Sequence, residues 1–211
     1  MSDISKERVG AISDGVIAVA ATILVLELKV PEGSFETLEV FLHWSRLMAA
    51  WVISFAMIAL VWFDNHLFLF QARRWTTRMT VVTFVQLAVV SLIPFASDLA
   101  VDHFRDIAAI VTFNVVMFIN GIVSVALGRV VAADLAGGED NDKSVFLRQR
   151  ARAQLHIYLA MVVIALIGAW FHRPFMGVLL WGVSPLLIAH RLKGMVPEMD
   201  GGQNQMVLGR H

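Results

Sequence analysis

Residues 8–26 read Arg8-Val9-Gly10-Ala11-Ile12-Ser13-Asp14-Gly15-Val16-Ile17-Ala18-Val19-Ala20-Ala21-Thr22-Ile23-Leu24-Val25-Leu26. An arginine, a serine and an aspartate stand at the mouth of an apolar run that carries one hydroxyl, Thr22. Ionisable groups at the edge of a membrane helix are costly and mark a functional segment. The run 16–26 is only eleven residues long, a length that suits a buried core helix better than a span. The rest of the chain decides between the two.

Of 211 residues, 58% are apolar and only 16% charged, against about 25% charged in an average soluble domain. Too few polar groups remain to cover a water-facing surface, so the chain reads as an all-α integral membrane protein. Formal net charge is zero, which removes any global basic field and with it nucleic acid as a partner. The absence of cysteine excludes disulfides, thiolate zinc sites and cysteine nucleophiles. Residues 1–7 lack the apolar core of a signal peptide, so targeting is expected to rest on the first membrane helix.

Six segments are apolar enough to cross the roughly 30 Å hydrocarbon core: about 9–28, 45–65, 79–97, 106–128, 154–171 and 175–190. Pro94 lies near the end of the third, where a proline kinks or stops a helix. His172-Arg173-Pro174 leaves room only for an antiparallel hairpin between the last two. With both termini cytoplasmic, the inner segments hold Lys6, Arg8, Arg73, Arg74, Arg78, Arg129, Lys143, Arg148, Arg150, Arg152, Arg191, Lys193 and Arg210. Only Lys29, Arg46, Arg105 and Arg173 of the 17 basic residues fall outside, the bias that the positive-inside rule predicts. Six spans in a single transmembrane domain over residues 1–211 follow, with a cytoplasmic loop at 129–153 and a mobile tail at 199–211. The six tryptophans mostly fall near proposed helix ends, where indoles favour the membrane interface.

No catalytic constellation is present. The seven histidines are scattered, with no HExxH or paired spacing for a metal, and no nucleophile elbow occurs. Asp64-Asn65-His66 is the densest polar cluster and reads as a hydrated helix end. Asn114, Asn120, Ser54, Ser91 and Ser124 read as interhelical hydrogen-bonding groups, since polar side chains in lipid seek partners. In the first helix, Ile12, Gly15, Val19, Thr22 and Leu26 fall within an arc of roughly 80°, with Ile23 on its shoulder. Such a stripe is a packing face on periodicity alone. The polar entrance of Arg8, Ser13 and Asp14 argues for more, and Asp14 is placed at the helix start, where the dipole stabilises a carboxylate.

Arg8-x-x-x-Ile12-Ser13-Asp14 and the run after it resemble the first-helix signature of the transmembrane protein 175 potassium channels, usually written RxxxFSD. Trp62-Phe63-Asp64-Asn65-His66 resembles the aromatic–Asn–His segment closing that family's second helix, and Leu92-Ile93-Pro94-Phe95 the end of its third. Ile12 stands where the signature has phenylalanine. The resemblance implies a single-repeat, prokaryotic plasma-membrane channel, assembled as a homotetramer around a pore lined by the first helices. It further implies apolar constrictions at Val19, Thr22 or Ile23, and Leu26, and a structural network of Arg8, Ile12, Ser13, Asp14 and His66. The expected permeant ion is K+, with Rb+ and Cs+ as further monovalent cations; no cofactor or resident metal is expected. Glu27, Glu32, Glu36 and Glu39 would gather cations at the outer mouth. The alternative is a secondary or proton-coupled transporter using Asp14 and His66, against which stand the lack of an inverted repeat and of paired broken helices.

Overall fold

The computed structural model describes residues 5–28, 37–72, 74–136 and 141–170, together with 180, 181, 183, 184, 187, 188 and 190. The continuous elements are α1 (Lys6–Leu26), α2 (Leu38–Gln71), α3 (Thr77–Val90), α4 (Ile93–Asp102), α5 (Ile107–Leu135) and α6 (Asn141–Trp170). Five helical stretches are long and apolar enough to cross a membrane, α3 and α4 counting together as one. The sixth expected span, 175–190, lies mostly outside the described residues. Of those described within it, Leu180, Trp181, Ser184, Leu187, Ile188 and His190 are helical and Val183 is a turn. The hairpin at 172–174, Glu32 and Glu36, and the tail at 199–211 also lie outside.

Local signals start the helices. The Thr37 hydroxyl accepts from the Val40 amide, Thr76 from Met79, and the Asp106 carboxylate from Ala108 at 2.8 Å. Each satisfies an amide that a helix start would otherwise orphan. Pro94 sits in the first turn of α4, not near the end of one continuous helix. Its missing N–H and its ring's clash with the carbonyl four residues back are tolerated only there, so the helix breaks at Ser91-Leu92 and restarts.

Three helices are longer than their apolar runs. The segment expected as a loop at 129–153 is helical over 129–135 and again over 141–153. Lipid demands the apolar run, but a helix does not stop where the run stops. Lys143, Leu147, Arg148, Gln149, Arg150, Ala151 and Arg152 are all good helix formers. For the same reason α2 continues past 65 to Gln71, which places Asp64 inside the helix and not at its end.

α5 is the hub: α6 packs along it, and α3 and α4 pack on it as well, while α1 lies mainly on α2. The largest core cluster draws Ile17, Leu24, Met57, Ile93, Phe113 and Met117 from four helices, α1, α2, α4 and α5. Polar side chains stitch the helices together in lipid-like surroundings. The Ser54 and Ser97 hydroxyls meet at 2.5 Å between α2 and α4. Trp181 Nε1 donates to Asn114 Oδ1 at 2.9 Å, so this indole is fully buried and is not an interfacial anchor. Asn120 is buried with its Oδ1 unpartnered among the described residues. Ser91, expected between helices, instead donates to Ala88 O one turn back.

Gly121 sets the α5–α6 approach. A Cβ there would lie 2.5 Å from Tyr158 Cδ2, and Tyr158 is buried against Trp181, ring centroids 5.5 Å apart. Gly121→Ala is therefore expected to lower the melting temperature of the detergent-purified protein, by overpacking worth about 1–3 kcal/mol. An unchanged melting temperature would mean that the ring moves freely.

Candidate functional site

α1 has two faces, and the chain buries only one. Val9, Ser13, Ile17, Ala20 and Leu24 are its buried residues, spaced three and four apart along one side. The stripe Ile12, Val19, Thr22, Ile23 and Leu26 lies roughly 140° around the helix. It is left open, with Val19 56% and Leu26 76% exposed. Gly15 belongs to the same side, and a Cβ added there would meet nothing within 4 Å. Arg8, at the same angle one heptad before Gly15, is also exposed and forms no ion pair among the described residues. Thr22 Oγ1 donates to Val19 O at 2.9 Å. Its proton is thereby committed to the helix, and its lone pairs remain available to an outside donor or cation.

The motif residues divide. Asp14 Oδ1 accepts from Trp62 Nε1 at 2.9 Å, and the Trp62 ring stacks on His66 with centroids 5.6 Å apart. Asp14 and His66 are thus joined through one indole of α2. Ser13 faces the other way, buried, donating to Val9 O at 2.9 Å. Ile12 is exposed on the open stripe. Because α1 begins at Lys6, Asp14 stands beyond the first turn, where the helix dipole no longer reaches it. The indole replaces the dipole as its partner.

A second polar centre lies inside the bundle. The Asp64 side chain is 6% exposed and ion-paired through Oδ1 to Arg150. Its Oδ2 accepts from Ser124 Oγ at 2.9 Å and from Gln154 Nε2 at 3.0 Å. One carboxylate thereby ties α2 to α5 and α6. The hydrated helix end expected at Asp64 is corrected to a buried junction. Arg150 was missed because it sits in a charge-rich stretch that reads as a loop, and Gln154 because it opens the expected fifth span, 154–171, as one amide before an apolar run. A signal was present: Leu147, Ala151, Gln154, Tyr158 and Met161 recur every three or four residues, Arg150 lies beside Ala151 on the same face, and all are buried.

Among the described residues no three histidine, aspartate or glutamate side chains gather in a way that would hold a metal ion. What the arrangement offers is an apolar stripe with one hydroxyl, facing outward on a helix held by Asp14–Trp62 and by its buried face.

Comparison with known proteins follows the same outline. A family model described as endosomal/lysosomal potassium channel TMEM175 matches residues 8–94. A potassium channel of Chryseobacterium sp. (strain P1-3) is 28% identical over 90% of this chain and 98% of its own length. A potassium channel of Chamaesiphon minutus is 27% identical over 77% of this chain and 85% of its own. The endosomal/lysosomal proton channel TMEM175 of Gallus gallus is 31% identical over 59% of this chain, which spans 28% of that longer protein. The crystal structure of a homologue, from Chamaesiphon minutus, of a lysosomal potassium-selective TMEM175 channel shares the fold. Its TM-score is 0.74 at 22% identity, covering 88% of this chain and 97% of that one. The chain is a multi-pass membrane protein similar to the TMEM175 channels, whose family model it matches over residues 8–94.

Proposed function

We propose that the chain is a potassium-permeable cation channel, a homotetramer whose four α1 helices line a central pore. The observation that carries this reading is the open stripe of α1. Each subunit leaves Val19, Thr22, Ile23 and Leu26 uncovered on the side opposite its own core. A helix apolar on both faces needs either lipid or other copies of itself, and the exposed Thr22 hydroxyl favours a water-filled axis over lipid. The names of the relatives, potassium channels in two bacteria, agree. Rings of valine and leucine gate by dewetting, and a ring of threonine oxygens replaces part of an ion's hydration shell. Rb+ and Cs+ pass with K+, and both termini lie on the cytoplasmic side of a prokaryotic plasma membrane. Asp14 and His66 hold α1 on α2 through Trp62, Ser13 packs on the buried face, and Arg8 and Ile12 hold α1 against neighbouring subunits.

A coupled carrier has one observation in its favour, the contact of both Asp14 and His66 with Trp62. Proteoliposomes loaded with K+ separate the readings. A channel releases K+ passively down its gradient without saturation, and a carrier saturates and moves a second ion. No passive K+, Rb+ or Cs+ release would overturn the channel.

Thr22→Val removes the hydroxyl at nearly constant volume. It is expected to change K+ conductance or the K+/Na+ ratio by about twofold to fivefold, the equivalent of one net hydrogen bond of about 0.5–1 kcal/mol. Oligomer yield on size exclusion should stay unchanged, because Thr22 is exposed and its hydroxyl donates to its own helix.

A further inference from the structure

We infer that the outer side of α6 carries a binding site for one anionic phospholipid. Two adjoining cavities support it. Arg129 of α5 and Arg148 and Arg152 of α6 line the first, of about 270 Å³. Arg152 also lines the second, a groove of about 670 Å³ between α6 and Leu180, Val183 and Leu187. Arg152, His156, Ala160 and Ile164, spaced four apart, run down one side of the groove, with Leu187 among the residues opposite. The polar groups sit at one end and hydrocarbon follows.

That order is the order of a phospholipid. Arg129, Arg148 and Arg152 are exposed, and none is ion-paired among the described residues. Three guanidinium groups facing one space suit a phosphate, which they grip with paired donors. Basic pockets between membrane helices bind acidic headgroups. From Arg152 to Ile164 the helix rises about 18 Å, close to the about 15 Å hydrocarbon depth of one leaflet. Free phosphate would use the arginines and leave the groove without an occupant. The charge and the groove together select the lipid.

Native mass spectrometry of the full chain in detergent tests this, with phosphatidylglycerol and phosphatidylcholine titrated separately and inorganic phosphate as competitor. Phosphatidylglycerol is expected to bind at least about tenfold more tightly than phosphatidylcholine. In the double variant Arg148→Gln, Arg152→Gln the affinity for phosphatidylglycerol should fall on the order of thirtyfold, about fivefold or 1 kcal/mol per basic residue. Ala160→Phe, which fills the groove and leaves the arginines intact, should weaken both lipids while circular dichroism stays unchanged. Equal affinity for the two lipids would overturn the proposal. So would millimolar phosphate displacing the lipid, wild-type binding by Ala160→Phe, or variants that alter subunit dissociation without altering lipid binding. The last result would assign the groove to a second copy of the chain.

Discussion

Asp64→Ala is expected to cost about 3–5 kcal/mol of stability, the cost of leaving one charge of a buried pair uncompensated. The carboxylate is the common acceptor of Arg150, Ser124 and Gln154, so its removal orphans donors on two helices at once. Arg150 is 7% exposed and its Nε is already unpartnered among the described residues, so water offers it little relief. The folded fraction in detergent should fall sharply, read as a lower melting temperature and a loss of the main size-exclusion peak. Asp64→Asn keeps an acceptor for one donor and should fall between the two. The double variant Asp64→Leu, Arg150→Met should recover most of the loss, because a well-packed apolar pair replaces a buried ion pair at little or no net cost. If Asp64→Ala melts with the wild type, the junction does not hold α2 to α5 and α6. If the double variant is no better than the single, the loss comes from packing and not from an uncompensated charge.

The two polar centres were unequally legible, for a physical reason. The open stripe of α1 could be read in advance because a 3.6-residue period sorts side chains onto faces whatever lies beyond them. Val19, Thr22 and Leu26 are found on one exposed side as that period requires. Which side would be buried was not legible, since Ile17, Ala20 and Leu24 are as apolar as the stripe. Asp64 was misread because the apolar run before it was taken as the whole helix. Leu67-Phe68-Leu69-Phe70 carries the helix on, and a carboxylate flanked by apolar residues on both sides cannot stay hydrated. Arg150 was lost for the opposite reason: its neighbours Arg148, Gln149 and Arg152 are all exposed. One inward-facing charge among outward-facing ones has no composition of its own. Trp62 was read as an interfacial residue, yet its indole N–H goes to Asp14. Pairings between residues 48 apart depend on how α1 lies across α2, which no local pattern contains.

Val19→Asn and Leu24→Asn, five residues apart on the same helix, should give opposite phenotypes. Val19 is 56% exposed within its own subunit and Leu24 only 2%. Asparagine at 24 loses the transfer energy of a leucine and buries an amide in the main apolar cluster, a cost of about 2–5 kcal/mol. Leu24→Asn is therefore expected to reduce the yield of folded protein before any conduction can be measured. Asparagine at 19 meets none of that core, and a substitution away from a packed face changes stability by about 0.5 kcal/mol or less. On the proposed pore axis it acts on water instead: four amides in place of four isopropyl groups wet the constriction and lower the dewetting barrier. A barrier lowered by about 1.4 kcal/mol gives about a tenfold rise in K+ release from proteoliposomes. Lipid-facing and pore-facing stripes part at this point. An asparagine turned toward lipid would leave its amide without a partner, which costs stability and does nothing for flux. Unchanged K+ release with a lowered melting temperature in Val19→Asn would place the stripe in the bilayer and remove α1 from the conduction path. A tenfold gain with the fold intact would leave the axis between four α1 helices as the only route consistent with both variants.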